Sequence, residues 1–124
     1  MPGASETDGT SGKHTNRVQL IGRVSGQPSS LVMPSGDRAV QWRLVVPRPR
    51  AAKRSDGRAG AVVDTIECVA WAGGLQRRVE RWQIGDIVEC EGALRRRFWR
   101  TATGPTSRYE VEVHRAHRMR GRSA

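Results

Sequence analysis

Glu91-Gly92-Ala93-Leu94-Arg95-Arg96-Arg97-Phe98-Trp99-Arg100 follows an alternating apolar run, Ile87-Val88-Glu89-Cys90, and reads as the continuation of one β-strand. At a period of two, Val88, Cys90 and Leu94 share one face, while Arg95, Arg97 and Trp99 share the other. Leu94 is expected in a core. Two guanidinium groups and an indole on the opposite side have no core to enter. A row of cations ending in a flat aromatic ring suits a phosphate backbone and a stacked base. Arg96 and Phe98 are turned the other way by the pleat.

Outward from this stretch, the same alternation marks four more strands. Arg17-Val18-Gln19-Leu20-Ile21-Gly22-Arg23-Val24 places Val18, Leu20 and Val24 inward, and Gly22 predicts a bulge or a sharp coil. Pro34-Ser35-Gly36-Asp37 reads as a hairpin tip after Leu31-Val32-Met33. It leads into Ala39 to Val46, with Val40, Trp42, Leu44 and Val46 on one face and Gln41, Arg43 and Val45 on the other. Trp42 is therefore expected in the core. Val62 to Trp71 is the third strand, with Ile66, Cys68 and Ala70 inward and Trp71 ending on the outer face, where it can stack on a base or cap the fold. Leu75, Val79 and Trp82 recur at helical spacing, which predicts a short helix that packs Trp82 inward. Gly85-Asp86 then turns the chain into the opening strand, and Tyr109 to Val113 is the fifth.

The connecting segments differ in character. Residues 1–15 are polar and predict a disordered leader, residues 16–119 a single domain, and residues 120–124 a short basic tail. Residues 47–61 carry Arg48, Arg50, Lys53, Arg54 and Arg58 among Gly and Ala. That segment reads as a solvated linker or as an arm tracking phosphates. Residues 101–108 read as the tip of a second hairpin, and His114 to Arg122 as a basic stretch with little to bury.

At 124 residues the chain supports one domain with a modest core. Its formal net charge is +10, and 20 of its 22 basic side chains are arginine. The charge is segregated: residues 17–63 and 93–124 each sum to +7, whereas residues 64–92 sum to −3. Two basic blocks of this kind are expected to meet as one electropositive surface. Cys68 and Cys90 are too few for a zinc site and read as buried thiols, and His114 and His117 have no third ligand in view, so no metal or cofactor is expected. There is no secretory signal and no membrane-length apolar run, so a cytoplasmic, nucleoid-associated protein is expected.

Three strands, a short helix and two strands is the connectivity of an all-β, five-stranded OB-fold barrel with one helix between strands 3 and 4. Such barrels bind single strands across strands 2 and 3 and the flanking loops. The basic blocks map onto two of those loops, at residues 47–61 and 100–108.

With those elements in place, the chain resembles the bacterial single-stranded DNA-binding protein family. The resemblance rests on Asn16-Arg17-Val18-Gln19-Leu20-Ile21-Gly22, Met33-Pro34-Ser35-Gly36, Trp42-Arg43-Leu44 and Gly85 through Leu94, in order between residues 16 and 113. It implies a homo-oligomer, usually a tetramer, that wraps single-stranded DNA without reading sequence. Trp99 and Trp71 fall at positions where the family stacks bases. Arg17, Arg95 and Arg97 fall where it places cations. Two departures stand out. The family's acidic, aromatic-tipped tail is replaced by Arg118-Met119-Arg120-Gly121-Arg122-Ser123-Ala124, so tail-mediated recruitment of repair enzymes is not expected. Thr65 and Ile66 stand where a further aromatic is common, which shifts affinity toward arginine.

The expected function is therefore sequence-independent binding of single-stranded DNA, in an accessory role in replication, repair or recombination. The expected contacts are Trp99, Arg97, Arg95, Trp71, Arg43, Arg17, Arg48, Arg50, Lys53, Arg54 and Arg100. An RNA-binding barrel and a basic adaptor for an acidic protein are the alternatives. No nucleophile–base set, phosphate-cradling glycine loop or metal cluster appears, so catalysis is not expected.

Overall fold

The computed structural model describes residues 10–11, 13–49 and 62–121. Arg50, Lys53, Arg54 and Arg58 of the basic loop, most of the expected leader and residues 122–124 lie outside these. The strands are β1 (Thr10–Ser11), β2 (His14–Thr15), β3 (Val18–Val24), β4 (Ser29–Val32), β5 (Arg38–Pro47) and β6 (Val63–Ala70), followed by helix α1 (Gly73–Val79) and strands β7 (Ile87–Thr101) and β8 (Gly104–Arg120). β1 and β2 pair with each other within the stretch expected to be leader.

Five strands close a ring. The order runs β3, β7, β8, β6, β5, and the barrel shuts where Arg23 and Val24 of β3 meet Val45 and Leu44 of β5. One edge of β5 is shared, with β4 along Arg38–Gln41 and β3 along Leu44–Val45. β6 and β8 run parallel at Cys68–Val111 and Val69–Glu112, which needs a crossover. The chain supplies it with α1 and β7. Closure depends on Gly22, where a Cβ would lie 2.8 Å from the Val45 carbonyl oxygen. Its pairing with Val88 is in register, so Gly22 serves a sharp coil rather than a bulge.

Inside the ring the period-two expectation holds for Val24, Val40, Trp42, Leu44, Cys68 and Val88, all buried. Trp82 lies beyond the C-terminus of α1, yet it is buried edge-on against Trp42, with ring centroids 5.6 Å apart. Gln76 ties α1 to the barrel. Its buried amide donates to the carbonyls of Arg38 (2.6 Å) and Trp71 (2.9 Å), and its oxygen accepts from Arg38 Nη1 (3.0 Å).

Four expectations give way. Leu94 shares the inward phase but is 44% exposed, because β7 runs past the end of the barrel there. Residues 101–108 are not a loop, since β7 and β8 stay paired as far as Thr101–Gly104. His114 to Arg120 is likewise strand. A register shift opposite Glu91–Gly92 changes the phase of β8, so Ala116 rather than Arg115 turns inward. Gly92 makes that shift possible, because a Cβ there would sit 1.8 Å from the Glu112 carbonyl oxygen. Finally, Val45 and Val69, in the outward phase of their strands, are buried within the chain, while Ile21 remains exposed.

Candidate nucleic-acid interface

The pairing of β3 with β7 ends at Val18–Gly92. Asn16 then imitates one further strand residue. Its side-chain amide donates to the Leu94 carbonyl (2.8 Å) and accepts from the Leu94 N–H (2.9 Å). Past this clamp β7 and β8 continue as a two-stranded ribbon to the turn at Ala102–Thr103. Cross-strand register sorts its side chains. Arg95, Arg97 and Trp99 lie with Glu110, Arg108 and Thr106, whereas Leu94, Arg96, Phe98 and Arg100 lie with Val111, Tyr109, Ser107 and Pro105.

On the first face, Trp99 is 40% exposed. Two guanidinium carbons, those of Arg97 and Arg108, each sit 5.9 Å from its ring centroid. Beneath them Glu110 is buried, with one carboxylate oxygen 3.8 Å from a guanidinium nitrogen of each arginine. Trp99, Arg97 and Arg108 line a cleft of about 260 Å³ against Leu31 and Gln41. Gln41 and Arg108 also line a neighbouring cleft with Arg43, Glu67 and Gln27. The two clefts thus form one surface that crosses β4, β5 and the ribbon. An indole flanked by two cations in an open cleft offers a stacking platform with phosphate partners on both sides.

The expected residues divide accordingly. Trp99, Arg97 and Arg43 come together on this surface, and Arg43 Nε donates to Glu67 at 2.6 Å. Arg95 shares the face and donates to Glu112 at 3.2 Å. Burial pushes the Glu112 carboxyl upward, but hydrogen bonds from His114 and Arg95 outweigh it and hold the group below its ordinary value. Trp71 is 37% exposed just beyond β6, in the outward phase of Glu67 and Val69, and it lines neither cleft. Arg48 pairs with Asp64 at 2.8 Å, and that hydrogen bond holds the Asp64 carboxyl below its usual range. Arg17 is engaged by Glu91, which also holds Arg115, in a separate cluster. Arg100 falls on the opposite face, with Phe98.

Arg108 and Gln41 escaped the sequence reading. The sequence pattern puts Arg108 at a hairpin tip. Only the register Arg97–Arg108, set by the two-residue turn, brings it to Trp99. Among the described residues, no group of three or more His, Cys, Asp or Glu could hold a metal ion, and no helix is long and apolar enough to cross a membrane.

Comparison with known proteins bears on the family and the fold. The chain is 28% identical over 98 residues to a single-stranded DNA-binding protein of Oceanobacillus iheyensis, covering 79% of this chain but only 58% of that relative. Its fold matches that of a Plasmodium falciparum SSB in complex with ssDNA, with a TM-score of 0.71 at 20% identity, over 86% of this chain and 96% of that one. A mitochondrial single-stranded DNA binding protein from S. cerevisiae gives 0.64 at 9% identity, over 87% and 97%. The single-strand binding protein family matches residues 15–119, and the chain belongs to that family.

Proposed function

We propose that this chain binds single-stranded DNA without reading its sequence. Trp99 stacks on a base, Arg97, Arg108 and Arg43 neutralise phosphates, and Arg95 and Trp71 extend the path along the outer face. The observation that carries this is the exposed Trp99 ring held between two guanidinium groups, in a chain of this family. Affinity comes from charge and stacking, which every sequence supplies. The role is accessory, in replication, repair or recombination, within the cytoplasmic nucleoid. It involves no catalytic step or cofactor.

The domain of residues 16–119 acts as a homo-oligomer, with a tetramer as the expected size. β3 supports this, because among the described residues one of its edges is unpaired from Val18 to Gly22 and Ile21 is 47% exposed beside it. An open strand edge with an apolar neighbour is a template for pairing with a second copy.

Titration with homopolymeric dT tests the binding. Trp42 and Trp82 are buried, so quenching of tryptophan fluorescence reports Trp99 and Trp71. Affinity should fall with salt at a log–log slope of about −0.7 per phosphate neutralised. Trp99→Ala should cost about 1–3 kcal/mol of binding per stacked base without lowering stability, since the ring is partly exposed. Absence of quenching and of a gel shift at low salt would refute the proposal.

A further inference from the structure

The ribbon has a second face, and its chemistry repeats the first. Phe98 and Tyr109 project there 69% and 58% exposed, two large rings on one face that together form an exposed patch of the kind that marks an interaction surface. The Arg96 guanidinium lies 5.2 Å from the centroid of one and 5.4 Å from that of the other, and its Nε donates to Ser107 Oγ at 3.1 Å. Arg100 follows on the same side.

The two faces differ in how their cations are engaged. Arg95, Arg97 and Arg108 on the Trp99 face each lie within 4.0 Å of a carboxylate. The other face carries Leu94, Arg96, Phe98 and Arg100 from β7 and Pro105, Ser107, Tyr109 and Val111 from β8, with no acid among them. The charge of Arg96 and Arg100 is therefore not offset by a carboxylate on their own face. A second copy meeting this chain through the same face would set Arg96 and Arg100 against their own counterparts, which opposes self-association here. A polyanion carrying flat bases meets both the cations and the rings.

We propose that Arg96, Phe98, Arg100 and Tyr109 form a second contact for single-stranded DNA, so that a strand leaving the Trp99 cleft bends around the ribbon and continues on its other side. The inference rests on the proposed function and extends it. Phe98 and Tyr109 supply stacking surfaces, and Arg96 holds the two rings in place while it and Arg100 meet phosphates.

The test uses the full chain and dT oligomers of two lengths, ~8 nucleotides to fill one cleft and ~30 to reach both faces. For the double variant Phe98→Ala/Tyr109→Ala, affinity for the short oligomer should be unchanged. Affinity for the long one should fall roughly 5- to 150-fold per stacked base lost, with fewer nucleotides occluded per chain. The variant Arg96→Gln/Arg100→Gln keeps the rings and should flatten the salt slope by about 1.4 on the long oligomer alone. Unchanged affinity and site size for both variants would overturn the proposal, as would equal weakening for both lengths. A changed mass by light scattering without DNA, with DNA binding intact, would overturn it in favour of a protein contact. Loss of quenching by either oligomer in the unaltered chain would instead remove the function on which it rests.

Discussion

Glu110 sits buried beneath the Trp99 platform, and Glu110→Gln should strengthen DNA binding while making it more salt-sensitive. The carboxylate lies 3.8 Å from both Arg97 and Arg108. At that distance the gross attraction is about 1 kcal/mol per pair in water and about 4 kcal/mol at an effective dielectric constant of about 20. The two arginines are 27% and 42% exposed, so solvent screens both pairs and the lower figure applies better. As it stands, the triplet presents one net positive charge to a phosphate, whereas the glutamine variant presents two. One additional neutralised phosphate steepens the log–log salt slope by about 0.7, which changes the variant-to-parent affinity ratio about fivefold across a tenfold range of salt. Glutamine keeps the shape and the hydrogen-bonding capacity of the side chain, so the stability cost should stay near 1 kcal/mol. Fluorescence titration with dT oligomers at several salt concentrations, beside thermal unfolding, measures both quantities. An unchanged slope would show that Arg97 and Arg108 are off the phosphate path. Weaker binding at every salt concentration would show that Glu110 organises the arginines more than it competes for them.

Three other expectations concern the scaffold. Gly92→Ala must move backbone, because its Cβ would sit 1.8 Å from the Glu112 carbonyl oxygen, so unfolding by heat should show a loss of about 1–3 kcal/mol or more. Gly26→Ala meets nothing within 4 Å and serves as the neutral control. Because the folded Glu112 carboxyl lies below its ordinary value of 4.5, its contribution is complete above that pH and is lost as pH falls through the folded value; Glu112→Gln should flatten stability against pH in that acid range. Burial pushes the Cys90 thiol up to about 12 and raises that of Cys68 well above its ordinary value, so neither should react with a thiol reagent at pH 8 until denaturant is added. Rapid labelling of the folded chain would show that the barrel opens.

Trp42 and Trp99 show how far local pattern reaches. Both lie in alternating strands, and phase alone sent one inward and the other outward, as the structure has them. Pleat geometry belongs to the backbone of each strand, so neighbours in sequence suffice to read it. Arg95 and Arg97 were legible for the same reason. Leu94 was not, because its phase is inward but its burial depends on whether the ring still surrounds it, and β7 has already left the barrel there. Arg100 has the opposite phase to Trp99, and the register confirms that the pleat outweighs its proximity in sequence.

The amino-acid sequence by itself determined the place of the five barrel strands, the inward tryptophans, the basic character of the chain and the cationic strand that ends in Trp99, since each follows from composition or from a period of two or of a helical turn. Tertiary structure alone decided the rest. The Arg97–Arg108 register, the phase change that buries Ala116, the burial of Val45 and Val69 and the placing of Gln41 beside Trp99 all arise from pairings between residues distant in the chain. Those pairings are set by the two-residue turn at Ala102–Thr103, by ring closure and by the Gly92 irregularity, which no single segment encodes in its own periodicity.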